Sequence, residues 1–293
     1  MADFVLTLIG AAPADARIAA DAIRQIGGRA EAADPLAPEA IDLPFDDAAP
    51  EAAESAARAA FGRRAIDLIA QPRTGRRKKL LVADFESTII ENEMLEELAD
   101  FAGLKEHVAA ITRRAMNGEI DFLAALDERV ALLRGLPELF LDEAAARIRI
   151  MPGAPALVRT MRAHGAKCAL VSGGFRVFAD PIARALGFDL TVANGLEVAD
   201  GRLTGRLVPP VLGREAKVAM LEETAVAMGI ALAATLAVGD GANDLPMIQA
   251  AGLGIAYHGR PAVRAAARWR IDHADLTALL YVQGYRREEI AAS

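Results

Sequence analysis

Apolar and polar positions follow two rhythms along this chain, and the changes of rhythm mark out its elements. Residues 4–10, FVLTLIG, form a short apolar run rich in β-formers. Over 14–26 apolar residues recur at helical spacing until Gly27-Gly28 stops them. Further strands are predicted at 29–33, 41–45 and 65–70, with an alanine-rich helix over 50–61, so residues 1–72 read as βαββαβ. Next comes QPRTGRRKK at 71–79, where Pro, Gly and five basic residues separate two apolar runs. That is the composition of a solvated connector, and a linker is expected at 73–79.

Beyond it, short apolar runs at 80–84, 167–171, 190–193, 235–238 and 254–256 alternate with helical stretches, which predicts a parallel sheet covered by helices. Residues 92–149 are helical throughout, with breaks near Gly103, Gly118 and Leu136-Pro137, and read as a helical cap inserted after the first strand of that sheet. A hairpin is expected over 196–208, turning at Asp200-Gly201. The expected fold class is therefore α/β: a Rossmann-like parallel-sheet core over 80–293 with a helical cap at about 92–149. A small α+β domain over 1–72 precedes it and resembles ACT-like regulatory modules.

Composition narrows the picture. Hydrophobic residues make up 53% of the 293 and aromatics only 5%, which favours closely packed helices on a sheet over an aromatic-rich sandwich. The net charge of −7 supplies no general positive field, so no nucleic-acid partner is expected and any phosphate must be held locally. Cys168 is the only cysteine, which excludes an intramolecular disulfide and fits a reducing cytoplasm. The N-terminus does not read as a signal peptide, and the apolar stretch 230–238 is too short to span a bilayer as a helix, so no membrane partner is expected.

Candidate chemistry sits where strands end. In LLVADFESTII, Asp84 and Glu86 leave the sheet together, at the place where open α/β sheets bind ligands. A second strand ends in Ser172-Gly173-Gly174, a hydroxyl and accessible backbone N–H groups suited to a phosphate oxygen. A third runs into GDGANDLPM, whose Asp240, Asn243 and Asp244 suit a hard cation with oxygen ligands. Lys217 is a candidate fixed positive charge. Cys168 and Trp269 read as packing residues, and His258 and His273 lack metal-ligand spacing.

In this order the motifs resemble those of the haloacid dehalogenase superfamily and, within it, the phosphoserine phosphatase family, over residues 80–284. The resemblance includes MNGEIDFLAALDERVALLRGLP in the cap and AYHGRPAVRAAARWRIDHADLTALL near the end. It implies Mg²⁺-dependent hydrolysis of phosphoserine through an aspartyl-phosphate. Asp84 would be the nucleophile and a metal ligand, with Asp240, the backbone carbonyl of Glu86 and Asp244 completing the metal set. Ser172, Gly173 and Lys217 would hold the phosphate, and Asn243 would order the site. For the zwitterionic end of the substrate it implies Glu93 toward the ammonium and Arg129 toward the carboxylate, with Met116 and Phe122 as apolar cap residues. Read on its residues alone, Arg129 sits among charges typical of a solvated helix face.

The departure is Glu86, where the family usually has Asp as the acid that protonates the leaving alkoxide and then activates water. Its carboxyl function is kept, at one methylene greater reach. Other small phosphomonoesters, transfer of the phosphoryl group to an alcohol, and a non-catalytic phosphoserine-binding regulator stand as alternatives. Assembly as a homodimer is left open.

Overall fold

The computed structural model describes residues 2–292, apart from the side chain of Met116. The first unit comprises β1 (Phe4–Ile9), α1 (Asp15–Gln25), β2 (Arg29–Ala30), β3 (Asp34–Ala37), β4 (Ala40–Asp46), α2 (Pro50–Phe61) and β5 (Asp67–Pro72). Its sheet runs β2-β4-β1-β5, antiparallel, with β3 added alongside β4. Alternation along the strands sends Leu6, Leu8, Leu43, Phe45 and Leu68 to one face, against Ala19, Ile23, Ala53 and Ala57 of the two helices.

The opposite face of this sheet is buried too. Ile9, Ala40 and Ile69 join the large core of the following unit. Polar groups at this junction are matched individually: the Asp67 carboxylate accepts the backbone N–H groups of Asp272, His273 and Ala274 at 2.7, 3.1 and 2.9 Å. Gln71 donates to the Val282 carbonyl at 2.7 Å, and the Trp269 indole to that of Ala70 at 3.0 Å. Burial on both faces is why β1 reads as an almost unbroken apolar run.

The basic segment is only in part the solvated connector its composition predicts: Thr74, Gly75, Arg77 and Lys79 are exposed, but other residues are bound down. Gln71 belongs to β5, Arg76 pairs with buried Asp42, and Lys78 is buried with its ammonium donating to the Gly75 and Ala233 carbonyls at 3.0 and 2.9 Å. The short path between two closely docked units presses these side chains onto both of them, and burial lowers the Lys78 pKa.

The second unit opens with β6 (Leu80–Ala83). Four helices then form the cap: α3 (Met94–Asp100), α4 (Lys105–Met116), α5 (Phe122–Ala131) and α6 (Leu139–Ala145). Glu91 N–H donates to the Arg149 carbonyl at 2.8 Å and Met151 N–H to that of Ile89 at 2.9 Å, so the two ends of the cap are tied where they meet the core. The chain continues through α7 (Ala154–Ala163), β7 (Lys167–Phe175), α8 (Arg176–Leu186), β8 (Leu190–Ala199), β9 (Arg202–Val208), α9 (Glu215–Ala227), β10 (Thr235–Gly239), α10 (Leu245–Ala250), β11 (Leu253–Tyr257), α11 (Pro261–Ala266), β12 (Trp269–Ile271) and α12 (Ala278–Val282).

The seven strands lie in the order β12-β11-β10-β6-β7-β8-β9, parallel except for the antiparallel β8–β9 hairpin. Leu80 and Val82 face Leu221 and Ala225 of α9 and Met247 of α10, while Leu81 and Ala83 face the opposite helical layer. The hairpin turns at Asp200-Gly201, both at positive φ as a tight hairpin turn requires. Its strand β9 receives the cap: Gly135 N–H donates to the Leu203 carbonyl at 2.8 Å, and Leu203 N–H returns to that of Leu136 at 2.9 Å. Among the described residues, no helix is long and apolar enough to cross a membrane.

Candidate active site

From β6 the sheet order runs through β7 and β8 in one direction and through β10, β11 and β12 in the other, so a crevice opens at the carboxyl ends of β6 and β10. Ala83 lies opposite Val238, and the Asp84 N–H donates to the Val238 carbonyl at 3.0 Å. Asp84 and Asp240 therefore leave the sheet side by side. Asp244, at the start of α10, folds back toward them, and one carboxylate oxygen from each of the three lies within 4.8 Å of the others.

Lys217, projecting from α9, holds this cluster together. Its Nζ lies 2.6 Å from Asp84 Oδ1 and 2.6 Å from Asp244 Oδ1, while Asp244 Oδ2 accepts the Gly241 N–H at 2.9 Å. Burial works against the Lys217 ammonium, but the charges of Asp244 and Asp84 outweigh it and hold its pKa above the ordinary lysine value. Burial, with the Asp244 charge, pushes Asp84 up to about 7 against the pull of Lys217. Asp240 is raised well above its usual range by burial and then by Glu93, Asp244 and Asp84, with Arg260 opposing.

The donor set fits a divalent cation. Asp84, Asp240 and Asp244 offer only hard oxygen donors, all buried. Around the same crevice these three and Glu86 and Glu93 face Lys217, Arg129 and Arg260, an excess of two negative charges among the described side chains. Burial first, and that excess second, raise the carboxyl pKa values of Asp84, Glu86 and Asp240. Of the four expected metal residues, Glu86 alone has its side chain outside the three-acid cluster.

Glu86 is brought round by a sharp turn in which Ser87 takes a φ of 54°. Its Oε1 accepts the N–H of Met94, the first residue of α3, at 2.8 Å, so the added methylene is taken up by a contact with the cap. Its Oε2 occupies the place of an absent side chain: a Cβ on Gly174 would lie 2.7 Å from it. Burial, and then the charge of Glu93, push Glu86 up to about 8, which leaves it protonated at neutral pH.

Ser172-Gly173-Gly174, expected as a turn after the strand, lies instead within β7, whose pairing register shifts between Val171 and Phe175, and its glycines line the same cavity. Ser172 Oγ accepts the Gly174 N–H at 2.9 Å, and Asn194 Nδ2 donates to the Gly173 carbonyl at 2.9 Å. A Cβ on Gly173 would stand 2.6 Å from Phe122 Cζ, so only glycine lets this cap ring close onto the strand. Met116, expected with Phe122 as an apolar cap residue, has its side chain outside the described residues.

Arg129 is not on a solvated face. It is 3% exposed, with Nε donating to the Ala125 carbonyl at 2.9 Å and Nη1 to Thr112 Oγ1 at 2.9 Å. Burial lowers its pKa against the charges of Glu86, Glu93 and Glu96. Glu93 Oε1 accepts from the Ser87 hydroxyl at 2.7 Å. Cap and core together enclose a cavity of about 20 Å³, about enough for one water, lined by Asp84, Glu86, Glu93, Phe122, Arg129 and Asn243. Ser172, Lys217 and Asp244 touch this wall from behind, and the buried Asn243 Oδ1 has no hydrogen-bond partner among the described residues.

Two contributors escape sequence reasoning. Arg260 places Nε 3.5 Å from Asp240 Oδ2 and Nη2 3.9 Å from Glu93 Oε1, bridging core and cap. Its signal was a cation in Gly259-Arg260-Pro261, just beyond the end of β11. Thr112, seventeen residues before Arg129, carried no local signal.

Comparison with known proteins agrees with this geometry. Residues 81–249 match the family model of haloacid dehalogenase-like hydrolases. Phosphoserine phosphatase SerB2 of Mycobacterium tuberculosis is 45% identical over 218 residues, 74% of this chain and 53% of that protein. The chain's match spans about half the length of that relative and of one from Streptomyces coelicolor. The phosphoserine phosphatase of Streptococcus thermophilus is 45% identical over 205 residues, 70% of this chain and 95% of that protein. A solved structure described as a phospho-aspartyl intermediate analogue of phosphoserine phosphatase superposes with a TM-score of 0.67 at 41% identity, over 70% of this chain and 98% of that one. With nearly the whole of one such relative covered at this identity, and its acids at the ends of the two central strands, the chain belongs to the haloacid dehalogenase-like hydrolases and, among them, to the phosphoserine phosphatase family.

Proposed function

We propose that the protein hydrolyses O-phospho-L-serine to L-serine and phosphate. The observation that carries this reading is one cavity lined both by Asp84, a carboxylate for phosphorus, and by Glu93 and Arg129, a pair complementary to a zwitterion. Asp84 attacks the phosphorus and the serine oxygen leaves, protonated by Glu86, whose raised pKa supplies that proton at neutral pH. Glu86, now ionised, takes a proton from the water that attacks the aspartyl-phosphate, releasing phosphate and restoring both groups. Lys217 and the Ser172-Gly173-Gly174 segment neutralise and orient the transferring oxygens.

Asp84, Asp240 and Asp244, with the backbone carbonyl of residue 86, would hold Mg²⁺. Bound there, the ion would supply charge neutralisation that lets carboxylate and phosphate approach. Arg129 retains Nη2 and the second Nη1 hydrogen for the substrate carboxylate, a forked contact suited to guanidinium. Asn243 lines the same cavity, and its Oδ1 is without a partner among the described residues. Because that cavity holds about one water, the cap must move for substrate to enter. We further read the first unit as ACT-like and the protein as cytoplasmic. The single buried cysteine accords with a reducing compartment.

Phosphate release measured over a panel of phosphorylated amino acids, sugars and an aryl phosphate, with Mg²⁺ and with chelator, tests the reading. Phosphoserine should lead the panel by at least about tenfold in kcat/KM and the chelator should abolish turnover. Equal turnover of sugar phosphates, or none of phosphoserine, would overturn it.

A further inference from the structure

Away from the catalytic crevice, a surface hollow of about 310 Å³ lies on the seam between the two units. Its floor is apolar, from Phe61, Ile66 and Leu68, but its banks are basic. Arg58, Arg63 and Arg64 stand on the first unit's side, at the end of α2 and in the loop after it. Arg264, Arg270 and His273 stand on the side of α11 and β12. Five guanidinium groups on one hollow are unexpected in a chain of net charge −7.

The acids that accompany them lie underneath. Arg64 grips Asp15 through Nη1 and Nη2 at 2.7 and 2.9 Å, and Arg58 Nη2 meets Glu54 at 3.0 Å. Arg264 and Arg270 share the single carboxylate of Asp272. The side chains of Asp15, Glu54 and Asp272 are 5, 14 and 8% exposed, whereas those of Arg58, Arg64, Arg264 and Arg270 are 30 to 49% exposed. Each buried acid therefore fixes one edge of a guanidinium and leaves another facing the hollow. Arg63 has no carboxylate partner among the described residues, so five cations stand against three acids.

Arg270 Nε pairs with Asp272 Oδ2 at 2.9 Å. The nearby carboxylate of Asp67 accepts the three backbone N–H groups of residues 272–274, keeps its charge and brings the surplus down to one.

We infer that this hollow is a second anion site, built for a diphosphate group. A positive surplus spread over five guanidinium groups calls for an anion. Its division into two banks calls for two linked phosphoryl groups, one for each set of pre-fixed guanidinium forks. The ligand would bridge the two units, so its binding favours their docked arrangement. This site is independent of the phosphatase reading.

The test is calorimetric titration of the full chain, freed of metal by chelation and dialysis, with inorganic pyrophosphate, ADP and inorganic phosphate at constant ionic strength, since surface charges are screened by salt. Pyrophosphate should bind at one site at least about tenfold tighter than phosphate. Arg63→Glu, at an exposed and unpartnered position, should weaken it by about tenfold or more, Arg63→Ala by less, and Ser172→Ala in the catalytic crevice should leave it unchanged. Equal affinity for ADP and pyrophosphate supports recognition of the diphosphate alone, whereas tighter ADP binding supports a nucleotide-borne diphosphate as the source. No binding of pyrophosphate at millimolar concentration, equal binding of phosphate, or loss in Ser172→Ala with retention in Arg63→Glu would each overturn the assignment.

Discussion

The two halves of the candidate active site are built differently. On the core side, Lys217 contacts Asp84 and Asp244 at 2.6 Å each, and the three come from strand ends or the helices beside them. On the cap side, Arg129 is held by the Ala125 carbonyl and the Thr112 hydroxyl, and Glu93 meets the core through the Ser87 hydroxyl and Arg260. The core half carries what every phosphate ester shares, and the cap half carries what distinguishes one ester from another. The proposed function thus puts chemistry on the sheet and selectivity on the cap.

If that division is right, damage on the core side should be indifferent to substrate and damage on the cap side should not. The largest effect belongs to Asp84→Asn, which should lower kcat by more than about 10⁴-fold on phosphoserine and on an aryl phosphate alike, because an amide is no substitute for the attacking carboxylate. A variant with near-native rates on either ester would end the covalent mechanism.

Glu86→Gln stands on the border of the halves and should cost roughly 10²–10⁴ in kcat on phosphoserine. An aryl phosphate, with a better leaving group, should suffer less in the first step. Its pH profile supplies a second check. Glu86 is held up to about 8 by burial and the Glu93 charge, and the acid works protonated, so kcat/KM should fall as pH rises through that value. A bound cation favours the ionised form and moves the limb lower. In Glu86→Gln the limb should vanish, and its persistence would assign the proton to another group.

Arg129→Ala should lose about 2–3 kcal/mol in kcat/KM for phosphoserine and much less for the aryl phosphate, which has no carboxylate to pair. Equal losses would return Arg129 to a purely structural role. The smallest effect is expected from Thr112→Val, which removes the hydroxyl that receives Arg129 Nη1 at 2.9 Å. About 1–2 kcal/mol should appear chiefly as a raised KM for phosphoserine. A fall in kcat with KM unchanged would contradict that.

How much of this was readable from the residues alone follows the same division. Strand ends announce themselves, because a short apolar run stopped by Asp84 or Asp240 gives both the element and the position of the acid. The cap's helices and breaks were legible from Gly103, Gly118 and Pro137, and the hairpin from Asp200-Gly201. What stayed hidden depended on distant partners. Neither the Thr112 hold on Arg129 nor the core-to-cap bridge by Arg260 has a local pattern. Part of the basic stretch 73–79 misled because composition reports solubility, whereas Lys78 is buried by two surfaces that the sequence does not show to be adjacent. Likewise β12 is only three residues long, and β3 four.

The grip of Asp67 on residues 272–274 has a kinetic consequence. These contacts join positions separated by more than 200 residues, and the same seam buries Ile9, Ala40 and Ile69. Such long-range closure is entropically slow, and during synthesis the first unit emerges well before the segment that will cover it. Until α12 arrives, that sheet presents an open apolar face. Refolding from denaturant should therefore pass through a state in which the first unit is formed but undocked, and that state, more than the native protein, is where aggregation begins.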